Sequence, residues 1–320
     1  LAGSLRHPVR SFYSRRLALF LDQDAEGIED DEVFKFDGLG NWAMQDAAIQ
    51  SVLNSLLQHP NMDTGASLCG ATAQLVRAGH LPIAPFDRLW TDGLIDDLTG
   101  PIDSYRALLP AYPHVCAAQT LVLESDGMTL ADTMSDLRED ADGNRLRLVL
   151  QASRLGEGDD IKWYHLVRHW PMHLAAQLEA ATTTRILGPD TDFALAPLPA
   201  ARAQMLLRQL MQGYLEGLSD LLPLACKTGF AVLCARDERK ANPQQRYEGG
   251  YNFTGELDEH AGYARFWPSY AALSDAPGFM ALIDRLYRPL YQHCCHPHEG
   301  QPAVLHHDPN SRSDHGREEA

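Results

Sequence analysis

Cations are scarce in this chain of 320 residues: 27 Lys and Arg stand against 43 Asp and Glu, for a formal net charge of −16. That balance excludes a protein that holds nucleic acid by broad counterion release, which needs basic side chains all along the phosphates. Any nucleic-acid contact must come from a local basic patch or from a partner. Long apolar runs are missing too. No stretch reaches the roughly 18 residues that a membrane-spanning helix needs, and the first residues lack the charged-then-apolar pattern of a secretion signal. The six cysteines, at 69, 116, 226, 234, 294 and 295, include no C-x-x-C pair. A reduced cytoplasmic setting, with no membrane partner, is therefore expected rather than a disulfide framework. Nor is there a Gly-x-x-x-x-Gly-Lys-Ser/Thr segment, so ATP binding through a P-loop is not expected. The first residue is Leu1 rather than Met, as expected of a piece of a longer chain.

What is present divides by period. Residues 5–21 read as a helix with Val9, Phe12, Tyr13, Arg16, Leu17 and Phe20 on one face. Residues 22–37 hold eight acids against Lys35 alone, the composition of a solvated loop. Leu39 to Leu57 is amphipathic, and a short helix is expected around Phe86 to Leu98. The period then changes. Ala117–Ser125, Met128–Arg138 and Arg145–Gln151 read as a three-stranded meander with turns at Asp126-Gly127 and Asp142-Gly143. Lys162 to Ala181 returns to helical spacing, with a kink expected at Pro171. Thr184–Leu187 and Phe193–Leu198 are strand candidates, and Leu207, Leu210, Met211, Tyr214, Leu215 and Leu218 make the cleanest helical stripe. The expected division is a helical part over 1–110, an α/β core over 111–292 and a disordered tail over 293–320.

Three further blocks join the amino-terminal one to give this chain a likeness. The start combines a Pro-x-x-x-Phe-x-x-x-Arg-Leu helix, an acidic break, and Gly38-Leu39 opening a new helix. Gly79-His80-Leu81-Pro82 follows, with Phe86 and Trp90 behind it. Pro197–Leu224 carries Gly-Tyr-x-Glu-Gly near its end, and Tyr247–Ser269 carries Tyr-Glu-Gly, Gly-Glu-x-Asp, Tyr263 and Trp267. In order and spacing these blocks, over roughly residues 4 to 292, resemble the C-terminal region of RecC, the gamma subunit of exodeoxyribonuclease V. Val33 departs from the pattern, where that family often has proline.

The resemblance implies a restriction-endonuclease-like fold: a mixed β-sheet flanked by helices, with a helical amino-terminal part. It also implies RecB-like and RecD-like partner subunits and DNA within their complex, with no cofactor of the chain's own. Phosphodiester cleavage on such a core needs a carboxylate near the end of the second strand and carboxylate-x-lysine on the third. Asp132 or Asp136 could supply the first. The third strand offers Gln151 and Ser153 where acid and lysine are needed, and a neutral amide cannot replace a carboxylate against a divalent cation. The expectation is a non-catalytic domain with no metal site. The alternative is an active Mg-dependent nuclease using Asp136, Asp160 and Lys162. Asp160-Ile161-Lys162 is literally carboxylate-x-lysine, but it follows a Gly-rich stretch and adjoins the Trp163 helix, where acids cap.

Other groups have two readings each. His165, His169 and His173 recur at helical spacing, as metal ligands or as exposed surface histidines, and the second is expected. The cluster at 293–298 is rich in His and Cys but lacks a second cluster at finger-like spacing. Arg6, Arg10, Arg15 and Arg16 either touch phosphate or pair with the acids that follow. The stretch with Arg236, Lys240, Arg246 and Tyr247 either guides a single DNA strand by charge and stacking or is a solvated loop.

Overall fold

The computed structural model describes residues 1–20, 38–59, 61–79, 85–125, 127–157, 160–251, 253–295 and 304–306. The acidic stretch 22–37, the residues 80–82, Asp126 and most of the tail lie outside them. The first helix is broken. α1 (Ala2–Arg6) and α2 (Pro8–Ser11) meet at His7, whose φ of −132° and ψ of 69° leave the helical region. Pro8 is the cause, since its ring excludes the helical conformation from the residue before it. A π-helical turn over Phe12–Arg16 follows, so Val9 and Tyr13 are buried while Arg16, Leu17 and Phe20 are exposed.

Three helices come next: α3 (Gly38–Gln58), α4 (Thr64–Arg77) and α5 (Phe86–Leu108). Asp63 caps α4 by accepting from the Ala66 amide at 2.6 Å. α5 runs on well past Leu98 and through Pro101, because Leu94, Leu98 and Ile102 continue one buried stripe at a spacing of four. Ile49, Val52, Leu68 and that stripe form a core of their own, closed by Leu150 and Leu187 from the sheet and by Ala152 just beyond it.

The strands are β1 (His114–Val115), β2 (Gln119–Ser125), β3 (Met128–Met134), β4 (Leu137–Glu139), β5 (Arg145–Leu150), β6 (Gly156–Glu157), β7 (Asp160–Ile161), β8 (Thr182–Leu187), β9 (Thr191–Leu195) and β10 (Val304–His306). Six of them form a mixed sheet in the order β1-β4-β5-β8-β9-β10, in which only β5 and β8 run parallel. The expected meander is therefore rearranged: β2 and β3 pair with each other as a separate ribbon, and β1 takes the place beside β4. The ribbon buries only Leu121, Leu123 and Met134, too few apolar side chains for two strands inside a sheet covered on both faces. β10 falls within the stretch expected to be a disordered tail.

The β4–β5 hairpin turns where the sequence places it. Its loop has one left-handed residue, Gly143 at φ +81°, rather than two. Asp140 shapes it by accepting from the amides of Asp142 (2.9 Å) and Asn144 (2.8 Å), as in a three-residue loop ending in a bulge.

Between β5 and β8 lie α6 (Trp163–Leu166) and α7 (Trp170–Ala176). Pro171 sits in the first turn of α7, where its missing N–H breaks no bond, so the chain restarts there rather than kinking. Then come α8 (Ala200–Ser219), α9 (Cys226–Arg236), α10 (Pro243–Glu248), α11 (Ala261–Phe266), α12 (Tyr270–Ser274), α13 (Phe279–Leu286) and α14 (Arg288–Cys295). The main core is aromatic. Trp163 stacks on Phe230 at 5.2 Å, Phe230 on Tyr287 at 5.0 Å, and the Tyr287 hydroxyl donates to the Leu5 carbonyl at 2.7 Å. Among the described residues no helix is long and apolar enough to cross a membrane.

Candidate functional site

β5 presents Leu146, Leu148 and Leu150 to one side of the sheet and Arg147 and Val149 to the other. Arg147, with its side chain 11% exposed, ion-pairs with Asp136 at 2.9 Å. Burial lowers the Arg147 pKa, and the Asp136 carboxylate opposes that. Four residues on, roughly 13 Å of strand, Gln151 is buried, with its amide N–H bonded to Leu187. Its Oε1 accepts from His169 Nε2 at 2.9 Å. The positions that a two-carboxylate metal site would draw together are thus each committed to a different neighbour.

The chain leaving β5 is pinned as well. Both carboxylate oxygens of Asp190 accept backbone amides, from Leu155 and from Gly156, each at 2.7 Å. Ser153 lies in the intervening bend, half-buried. Asp160 pairs with Glu157 in the β6–β7 ribbon, separate from the main sheet. Lys162 stands at the start of α6, with its amide bonded to the Leu155 carbonyl at 2.8 Å. The third strand therefore ends at Leu150 and does not run on to Asp160.

His165, His169 and His173 are buried, against the expectation of an exposed face. The break between α6 and α7 changes the helical phase, and both helices are covered. His173 is bonded on both nitrogens, to Thr184 Oγ1 at 2.9 Å and to the Ala196 carbonyl at 3.1 Å. Burial drops His165 and His173 to about 3 and His169 well below the usual imidazole range. All three are neutral packing groups at physiological pH. Among the described residues no group of three or more His, Cys, Asp or Glu could hold a metal ion. Cys294 is buried and Cys295 is pushed up to about 11 by burial, while His296 to His298 lie outside the described residues.

The basic residues separate into two kinds. Arg10 and Arg16 are exposed, and Arg15 donates to the Tyr214 hydroxyl at 3.2 Å. Arg236 is paired with Asp284 at 2.9 Å, and the ring of Tyr247 is inside the core with its hydroxyl bonded to the Trp267 carbonyl. Lys240 and Arg246 instead line a groove of about 830 Å³ between the start of α6, α9 and α10. Lys162, Lys227 and Arg239 line it too. Arg6 reaches the same region from the amino terminus: its guanidinium lies 5.6 Å from the Tyr164 ring, and Lys227 Nζ lies 4.7 Å from that ring. Sequence reasoning missed Tyr164, because its role as a hub between distant cations has no local pattern.

The fold is a mixed sheet packed with helices around an aromatic core. The chain belongs to the RecC C-terminal domain family, whose model matches residues 1–237. It is 25% identical over 277 residues to the RecBCD enzyme subunit RecC of Escherichia coli (strain K12). That similarity covers 82% of this chain and 22% of the longer relative.

Proposed function

We propose that this chain is a non-catalytic part of a RecC-like exodeoxyribonuclease V gamma subunit, built on a restriction-endonuclease-like core that has lost its metal site. In this reading it docks RecB-like and RecD-like subunits and helps split and channel the DNA strands in double-strand break repair. Cutting and ATP hydrolysis belong to the partners.

The observation that carries the reading is the buried bond between Gln151 and His169. An amide oxygen held by an imidazole offers a divalent cation no charge, and Asp136 is spent on Arg147. The family supports the assembly: the relative it resembles is by name a subunit of the RecBCD enzyme.

The test compares the full chain with Asp136→Ala and Asp160→Ala on linear duplex and single-stranded DNA with Mg²⁺ or Mn²⁺. No metal-dependent cutting is expected from any of them, and Asp160→Ala should leave the nuclease activity of the assembled complex unchanged. Cutting by the wild-type chain that both substitutions abolish would put an active nuclease using Asp136, Asp160 and Lys162 in place of the scaffold.

A further inference from the structure

α9 approaches the aromatic row of Tyr287 and α14 closely. A Cβ on Gly229 would stand 2.8 Å from the Tyr287 ring, so it is glycine that lets the helix seat there. Each helix carries a cysteine near its end: Cys234 in the last turn of α9, and Cys295 as the last residue of α14. Both stand as thiols in the structure. They meet around Tyr291. Burial first, then Asp237, then the two thiols raise the pKa of its hydroxyl. Burial pushes Cys295 itself up to about 11, with Arg239 opposing and Cys234 adding to the rise. The two sulfurs are thus neighbours at the junction of the helices.

A cation is fixed at the same junction. Glu238 takes a left-handed φ of 57°, which turns the chain so that the Arg239 N–H donates to the Cys234 carbonyl at 3.0 Å. The Arg239 guanidinium lies 5.9 Å from the Tyr291 ring. Cys234 also opens onto the groove between α6, α9 and α10, as the one cysteine among its described lining residues. Lys162, Lys227, Arg239, Lys240 and Arg246 line that groove, and none of its described lining residues is Asp or Glu. The chain as a whole has a net charge of −16. Salt screens its distant acids over about 8 Å, so a small anion inside the groove meets the cations first.

We propose that Cys234 and Cys295 are a thiol pair that an anionic low-molecular-weight disulfide, drawn into the groove by its cations, oxidises to an intramolecular disulfide. The inference stands apart from the scaffold reading. Cys234, as thiolate, attacks one sulfur of the small disulfide. The small S–S bond breaks, the departing thiolate takes up the proton that Cys234 released, and a mixed disulfide remains. Cys295, as thiolate, then attacks the Cys234 sulfur and expels the second small thiolate, which takes up the Cys295 proton. The two protein sulfurs are oxidised, and the two sulfurs of the small disulfide are reduced to thiols.

The order of the steps follows from the surroundings. A thiol held at high pKa reacts slowly with partners in solution, which suits Cys295 to the second step, where its target is already adjacent. A reducing compartment keeps the pair as thiols, and the bridge forms as the small disulfide accumulates. Once formed, it ties the end of α14 to the end of α9.

The experiment incubates the full chain with glutathione disulfide at low ionic strength, blocks remaining thiols by alkylation and maps every cysteine by peptide mass spectrometry. A bridged Cys234–Cys295 peptide is expected, and dithiothreitol should reverse it. Cys295→Ser should stop the reaction at glutathione bound to Cys234. Lys240→Gln with Arg246→Gln should slow oxidation by glutathione disulfide about tenfold and leave oxidation by uncharged hydroxyethyl disulfide unchanged.

Mixed disulfides confined to Cys69 and Cys116, with no bridge, would overturn the proposal, as would a bridge between Cys294 and Cys295. Equal slowing of both oxidants by the charge substitutions would overturn the docking of the anion. The mapping on wild type and the comparison of oxidants need no cysteine variant, so they decide the matter even where Cys295→Ser fails to fold.

Discussion

His169 Nε2 donates to Gln151 Oε1 across 2.9 Å and so ties the end of β5 to the start of α7. The bond joins the two elements that enclose the strand-end position of the core. It is a neutral, buried joint.

Breaking that joint should cost stability. His169→Ala leaves the Gln151 amide buried without its partner and opens a small cavity, for a loss of about 2–4 kcal/mol. Urea denaturation reads it directly. An unchanged midpoint would show that the bond contributes nothing.

Asp136 should behave as a structural residue. Asp136→Asn removes the counter-charge of Arg147, whose side chain is 11% exposed, and should cost about 1.5 kcal/mol. The half-exposed carboxylate keeps the figure below that of a fully buried pair. Thermal melting gives the loss. A drop in the nuclease rate of the assembled complex with no change in melting would contradict this role.

Glu256 should make stability depend on pH. Its carboxylate accepts from the amides of Lys227 (3.0 Å) and Thr228 (2.8 Å) and from the Thr228 hydroxyl (2.9 Å) at the start of α9. Burial first, then Glu259, nevertheless pushes its pKa up to about 7. A glutamate in the unfolded chain titrates near 4.3, so the folded protein holds the proton more tightly. The contribution is therefore complete below about pH 4.3 and lost as pH rises through about 7. Buried His165 and His173, held at about 3, act in the opposite sense and lose stability as pH falls below about 6.5. Subtracting Glu256→Gln isolates the glutamate: wild type minus variant should fall by about 3 kcal/mol from pH 4.5 to 8. A flat difference would show that the three donors cancel the burial.

Much of this was legible in the sequence where the signal is local. The stripe of α8 and the Asp-Gly hairpin each depend on a few adjacent residues, and each is found, whereas Pro171 opens a new helix instead of kinking one. What failed depends on partners far along the chain. β2 and β3 have strand periodicity, but nothing local says that β1, two residues long, sits beside β4 in their place. The three histidines looked superficial because imidazoles are polar, yet His173 finds Thr184 and Ala196 inside the fold. Of the aromatics in the glycine-rich turn, Tyr247 is drawn inward by the Trp267 carbonyl, and the rings beyond Gly249 are turned out.

The Tyr287 hydroxyl on the Leu5 carbonyl spans 282 residues of sequence. The family model matches residues 1–237 and so stops fifty residues short of that tyrosine. The stretch that the family model matches and the length that closes the core are therefore different spans of polypeptide. A protein trimmed at residue 237 would keep Gln151 and His169 but lose Tyr287, the ring that roofs Phe230, and the clasp on its own first helix.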